Sequence, residues 1–334
     1  MREIHLVTPL ATALGGSEQR TLTLYRLLLA DGRVTPRLWS PVAADAALAT
    51  TLPINMLHAE EGRLPRGGTV VFVGLYFDYG AWLAAAAAER VLVIANTNNP
   101  AAWARNRERL QQPGVPPFEL LHTSAALQRA LGGEGAVLPS LIDPSVFTPL
   151  VETRNAPFTL GRHSRDEAFK HHSEDLIVYQ DVLTRGGAVQ LMGASAVAAQ
   201  LRPAPRLSFH AAGSLDVAPF LQGLDVFYYR TAPEWFETFG RVLHEAMSCG
   251  LPVLCHRSVG GAESIRHGEN GLLFDSTGEA LHLLDRLRAS PAIRQQMGLA
   301  ARASMLALHG GTLKQHTLEL LLGQQALQGE GITA

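Results

Sequence analysis

Apolar residues come in short runs suited to buried strands, at residues 4–7, 70–74, 91–95, 158–161, 188–193, 207–210, 225–229 and 251–255, and helical patterns fall between them. Runs of this length without polar alternation predict strands covered on both faces, and their alternation with helices predicts an α/β fold with parallel sheets. Helices are expected at residues 17–30 and 82–88, and again from about Glu237. In that last segment Phe239, Val242, Leu243, Ala246 and Met247 repeat at the spacing of one buried helical stripe. Gly250 then caps the helix and Pro252 stops it before the next strand. At about 100° per residue Glu237 and Glu245 lie about 80° apart, off that stripe. Such a pair ordinarily marks a solvated face, and whether it does more depends on the rest of the chain.

The rhythm breaks at residues 143–157, "DPSVFTPLVETRNAP", where prolines replace apolar runs. The linker between two domains is placed there: an N-terminal Rossmann-like domain over 1–150 and a C-terminal one over 151–311. A last helix, 312–334, has the option of packing back on the first. Two such halves facing a cleft put the ligand at the carboxyl ends of their strands. The length of 334 residues and a hydrophobic content of 47% supply a core for each half.

A net charge of -2 gives no drive toward nucleic acid or an anionic surface. No signal-peptide core opens the chain, and "AWLAAAAAERVLVIA" is broken by Glu89 and Arg90, so it cannot span a bilayer. A cytoplasmic protein is expected, with room for peripheral contact at the inner face of a membrane. Cys249 and Cys255 read as buried thiols.

Candidate chemistry follows three strand ends. Gly15 and Gly16 precede a helix opened by Ser17, a setting that lets an anion approach backbone amides. In "LGRHSRDEAFKHHSEDL", Arg162, Arg165 and Lys170 follow a strand and suit the phosphates of a nucleotide. His163, His171 and His172 lack zinc-ligand spacing and stand beside cations, so metal is discounted. In "YYRTAPEWFETFGRVLHEAMSCGLPVL", amides of Thr238, Phe239 and Gly240 are expected to point out of a helix start. Glu245 would rise about 12 Å along that helix. The span suits a sugar nucleotide gripped by a carboxylate at each end.

The run from Glu237 to Glu245, two glutamates flanking seven residues, resembles the signature of the retaining GT-B glycosyltransferases of family 4. "GGSEQRTLTLYRLLLADG" resembles the family's first glycine loop and helix, "LPSLIDPSVFTP" its linker, "LGRHSRDEAFKHHSED" its phosphate loop, and "VGGAESIRHGENGLLFD" the loop and strand after the second glutamate. The resemblance covers residues 4–311 and is strongest in the second half. It implies a metal-independent transferase that moves a hexose from a UDP- or GDP-sugar to a hydroxyl acceptor, whether carbohydrate, lipid-linked or other, with the anomeric configuration retained and no cofactor. It further implies that Arg162 and Lys170 hold the donor pyrophosphate and that Glu237 binds the donor sugar, helped by amides near Phe239 and Gly240. Glu245 would bind the ribose, with Gly15 and Gly16 closing from the other lobe. Many relatives place the lysine nearer the arginine than here, which leaves Arg165 as a substitute, and a histidine where this chain has "NTNNP". Asn96 or Asn98 is the acceptor-side contact in its place. A catalytically silent sugar-nucleotide-binding subunit is the competing reading, and an epimerase or hydrolase a further one. A dinucleotide-dependent redox enzyme is disfavoured, because no glycine fingerprint is followed by an acidic residue at the required distance.

Overall fold

A computed structural model describes residues 1–150 and 156–324. Contacts divide them into two units, one of Met1–Leu141 with the chain from Lys314 on, the other of Ile142–Leu313. The proline-rich stretch therefore begins inside the second unit. Phe147 is buried in that unit's core beside Met247 and Leu251, and Arg302 Nη1 donates to its carbonyl (2.5 Å). Residues 151–155 of the expected linker lie outside the described residues.

The first unit is built on β1 (Glu3–Val7), β2 (Thr35–Ser40), β3 (Ile54–Met56), β4 (Thr69–Val73), β5 (Arg90–Ala95), β6 (Phe118–His122) and β7 (Ala136–Val137). They pair in the order β3-β2-β1-β4-β5-β6-β7, every pair parallel. All of β4 is buried, as expected of a strand covered on both faces. The carbonyls of Leu320 and Leu322, at the end of the Gly311–Leu322 helix, accept from Arg90 Nη1 (2.7 Å) and Arg2 Nη1 (3.1 Å).

The second unit holds β8 (Thr159–His163), β9 (Ala188–Met192), β10 (Leu207–His210), β11 (Val226–Tyr229), β12 (Val253–His256) and β13 (Leu272–Phe274). Their order is β10-β9-β8-β11-β12-β13, again all parallel. One core lies around Phe227, Leu243 and Met247, another around Tyr179, Tyr228 and Leu284. In both sheets the strand order reverses once, between β1 and β4 and between β8 and β11. A parallel sheet opens a crevice at such a reversal, outside the carboxyl ends of its strands.

All eight expected strands are present, with ends shifted by a residue or two. Of the five others, β13 falls in the stretch where the family resemblance placed a strand, and β2, β3, β6 and β7 were not predicted. Pro36 and Arg37 interrupt the apolar run of β2, and β3, β7 and β13 are too short for a periodic signal. The expected helix at 82–88 is a 3-10 turn, Ala81–Ala86, ended by Ala87 in the left-handed region (φ 49°). The expected helix from Glu237 begins at Arg241 and ends at Ser248. Its N-cap, Gly240, has φ 67°, a left-handed conformation that glycine adopts without strain, and a Cβ there would come within 3.3 Å of Gly261 Cα.

Both cysteines are free and buried. Burial, with the Glu245 carboxylate adding to it, pushes the Cys249 thiol up to about 12, and Cys255 is also raised by burial. The native protein should therefore react with Ellman's reagent at neutral pH only as fast as it unfolds, since the thiolate is the reactive form. A fast native burst would contradict this.

Candidate functional site

The site is assembled where β8 and β11 end side by side. Arg162, in β8, points its guanidinium into protein and has no exposed surface. Its Nη1 donates to Arg230 O (2.8 Å) and its Nη2 to Lys170 O (2.5 Å), while the guanidinium carbon sits 4.6 Å from the Tyr229 ring centre. The neighbouring carboxylate is Asp175, also fully buried, with Oδ2 3.4 Å from Arg162 Nη1. Asp175 Oδ1 accepts from Arg230 Nε (2.9 Å) and Tyr228 OH (2.8 Å), and Oδ2 accepts from the His172 amide (3.2 Å). One acid thus serves two arginines. Between them they close the β8 loop against the end of β11.

That closure aims Lys170. Its Nζ donates to Glu237 Oε2 at 2.5 Å and lies 4.9 Å from the Trp235 ring centre, where Trp235 stacks on Phe169 (4.1 Å between centres). Tyr229 OH donates to the same Glu237 oxygen (2.9 Å). Burial works against a charged Glu237, but the Lys170 ammonium and the Tyr229 hydroxyl outweigh it and hold the carboxyl below its ordinary range. Glu245 is treated the same way. Burial opposes its charge, and Arg241 outweighs burial; Arg241 Nε donates to Oε1 (2.7 Å) and His163 Nε2 lies 3.3 Å from Oε2.

Two expectations need correction. Glu237 and Glu245 are not carried on one helix: Glu237 precedes Gly240 in a loop, and only Glu245 is helical. Glu245 is 6% exposed, so the ordinary solvated-face reading does not hold for it. Arg162 cannot touch a ligand where it stands, because its guanidinium is sealed among backbone carbonyls, Asp175 and Tyr229. It positions Lys170 instead. Arg165 is exposed and reaches Glu237 only as a more distant charge, so the cation held at the acid is Lys170. Thr238, Phe239 and Gly240 are buried just ahead of the helix, with the Phe239 ring 4.4 Å from that of His244.

Gly15 and Gly16 stand in the first unit, after β1. Gly15 is the extended N-cap of the Gly16–Asp31 helix (φ −82°). Asn96 follows β5, accepting from Arg20 Nη1 (3.3 Å) and donating to Ser17 Oγ (3.1 Å). Sequence reasoning missed Asp175, Arg230, Tyr229 and His163. The adjacency of β8 and β11 makes their roles, and that adjacency is a property of strand order. Among the described residues no cluster of three or more His, Cys, Asp or Glu could hold a metal ion. His171 is spent structurally: its Nε2 meets Gly193 O (3.0 Å), and burial, aided by the Arg162 charge, drives its pKa down to about 3.

The geometry offers one buried ammonium, two carboxylates able to accept hydroxyl hydrogen bonds, and three cations, Arg162, Lys170 and Arg230, at the end of β8 and β11. Arginine and lysine gathered at one sheet edge suit a diphosphate. Residues 180–289 match the family described as Glycosyl transferases group 1. Over 88 residues the chain is 36% identical to the D-inositol 3-phosphate glycosyltransferase of Pseudarthrobacter chlorophenolicus, a match covering 26% of this chain and 20% of that protein. It is 40% identical over 72 residues to the N-acetyl-alpha-D-glucosaminyl L-malate synthase of Bacillus anthracis, covering 21% of this chain and 19% of that one. The matched stretch thus spans about a fifth of these curated relatives. Among solved structures, HepE of Anabaena in complex with UDP and glucose superposes with a TM-score of 0.71 at 16% identity, over 97% of this chain and 100% of that one. The lipopolysaccharide-biosynthesis glycosyltransferase WaaG gives 0.71 at 13% identity, over 96% and 100%. The fold is that of the GT-B glycosyltransferases, two Rossmann-like parallel-sheet domains.

Proposed function

We propose that this chain, which over residues 180–289 belongs to the group 1 glycosyl transferases, is a retaining glycosyltransferase moving a hexose from a UDP- or GDP-sugar to a hydroxyl acceptor. The Lys170–Glu237 pair carries this reading. Lys170 takes the β-phosphate of the donor, supplying positive charge where the leaving diphosphate develops its own. Glu237, once released from Lys170, accepts hydrogen bonds from hydroxyls of the transferred sugar. Glu245 accepts from the ribose hydroxyls, exchanging Arg241 and His163 for them. Arg162 and Arg230 hold the loop through Asp175 and add to the local potential. With this cationic set in place, charge neutralisation at the diphosphate needs no metal ion. The binding of UDP and glucose by HepE, a protein of the same fold, supports a nucleotide-sugar donor.

Titration of the protein with UDP-glucose and with GDP-mannose tests the reading. One of the two should bind saturably without added divalent ion, and free nucleoside diphosphate should appear when a hydroxyl acceptor is supplied. Binding of neither donor, with or without metal, would overturn the proposal; binding without turnover across an acceptor panel would favour a silent sugar-nucleotide-binding subunit.

A further inference from the structure

Two buried histidines take no part in the site described so far. His244 stands one residue before Glu245 on the Arg241–Ser248 helix, and His309 ends the Pro291–His309 helix. They are 1% and 4% exposed, and His244 Nδ1 lies 2.8 Å from His309 Nε2. Burial, with the Arg241 charge adding to it, drives the His309 pKa down to about 3. Burial, the His309 ring and Arg241 hold His244 below its ordinary range as well, so both rings are neutral at neutral pH. A neutral imidazole has one N–H and one acceptor nitrogen, and its neighbours decide which is which. The Ile142 amide can only donate, and it meets His309 Nδ1 (3.4 Å). His309 therefore carries its proton on Nε2 and donates to His244 Nδ1. His244 in turn carries its proton on Nε2, where Ser264 Oγ accepts at 3.2 Å. Three hydrogen bonds run in one direction, and one placement of the protons satisfies them all.

Ser264 is where this chain of bonds meets the site. It closes the 3-10 turn Gly260–Ser264, and the Gly260 amide at the turn's other end donates to Glu237 O (2.8 Å). The turn and the Glu237 loop lie backbone to backbone: a Cβ on Gly260 would come within 2.6 Å of Thr238 O, and one on Gly261 within 2.6 Å of Phe239 O. Packing this close passes a displacement of one segment on to the next. The Phe239 ring also rests on the His244 ring, with 4.4 Å between centres. Glu237 has no helical backbone to hold it. Its place is set by what its loop lies on, and that support leads back to His244 by two routes.

We propose that His244 and His309 are positioning residues for Glu237, their directed hydrogen bonds fixing the Gly260–Ser264 turn and, through it, the loop that carries the acid. Neither ring touches a ligand. The assignment rests on the transferase reading, in which Glu237 accepts from hydroxyls of the transferred sugar. Loosening the chain of bonds should therefore weaken the hold on the sugar and spare the hold on the nucleoside diphosphate.

Isothermal titration of the full chain with UDP-glucose and UDP, and with GDP-mannose and GDP, tests this. His244→Leu should lower the affinity for whichever sugar nucleotide binds by roughly threefold to tenfold, the scale of one ordinary hydrogen bond, and leave that for the bare diphosphate unchanged. His309→Leu should do the same, whereas His309→Gln, which keeps an acceptor for Ile142 and a donor for His244, should recover most of the loss. Hydrogen exchange of the Gly260 amide should speed up in both leucine variants, because its bond to Glu237 O opens more often. In the unaltered protein, nitrogen NMR of labelled histidine should find the proton of both rings on Nε2. Should the leucine variants not fold, Ser264→Ala, which removes only the last bond, should give the same split on a smaller scale. A proton on Nδ1 of either ring overturns the proposal, as does sugar-nucleotide affinity that falls no further than affinity for the diphosphate. An unaltered protein that binds neither sugar nucleotide would sink the transferase reading, and Gly260 exchange would still decide whether the histidines hold the loop.

Discussion

Asp175→Ala should destabilise the protein by roughly 3–5 kcal/mol, because removing one member of a buried ion cluster leaves its partners uncompensated. Arg162 Nη1 and Arg230 Nε both lean on this carboxylate, at 3.4 and 2.9 Å. Neither has an alternative acid of equal burial: the other carboxylate near Arg230, Glu174 at 3.5 Å, is 53% exposed. Tyr228 would also lose the acceptor of its buried hydroxyl. Asp175→Asn keeps an oxygen for Tyr228 and removes only the charge, so it should cost less than the alanine variant. The midpoint of urea unfolding at constant slope measures both. A loss below about 1 kcal/mol for the alanine variant, the scale of one ordinary hydrogen bond, would mean that the carbonyls of Lys170 and Arg230 suffice for Arg162 and that Asp175 is incidental. UDP affinity should fall along with stability, since the Lys170 loop hangs from Arg162.

The fold was legible in the apolar runs, and the limits of that legibility are physical. Strands such as β4, buried along their whole length, write themselves as unbroken hydrophobic stretches. Strand β2 alternates and carries Pro36, so it left no run to find. The Gly240 boundary was missed because the apolar stripe continues through Phe239, whose ring is buried by tertiary contact although its backbone is not helical. The candidate residues Lys170, Glu237 and Glu245 were singled out through the order of motifs. Their burial was not, since helical angle alone places both glutamates off the packed stripe. Lys170 after β8 meets Glu237 and His163 at the end of β8 meets Glu245, and both meetings follow from strand order. Arg162 was assigned to the ligand because a cation after a strand reads the same whether it faces outward or folds under its own loop. Only the positions of Arg230 O and Lys170 O distinguish the two.

Glu237→Gln and Lys170→Met should damage function in different ways, and the contrast separates the roles assigned to them. The glutamine still offers an oxygen to Tyr229 but no longer neutralises Lys170. The freed ammonium should hold UDP at least as well, while transfer falls by roughly a hundredfold or more, the scale of a lost transition-state contact. Lys170→Met does the reverse. It leaves Glu237 buried without its ion partner, so the acid loses what held it below the ordinary range and becomes easier to protonate. UDP affinity should drop in this variant even though the acid is intact. In the unaltered protein the depressed Glu237 contributes stability above the unfolded-state pKa of a glutamate, and that contribution is lost as pH falls through the lower folded value. Lys170→Met should flatten this acid-side dependence, because the shift that produces it is gone. The double variant Lys170→Met/Glu237→Gln removes both charges at once, and its loss of stability should be smaller than the sum of the two single losses, as residues in direct contact are not additive. Additive losses would mean that the two side chains are not coupled, and equal reductions of UDP affinity in both single variants would mean that the pair is a structural tie which the donor does not open.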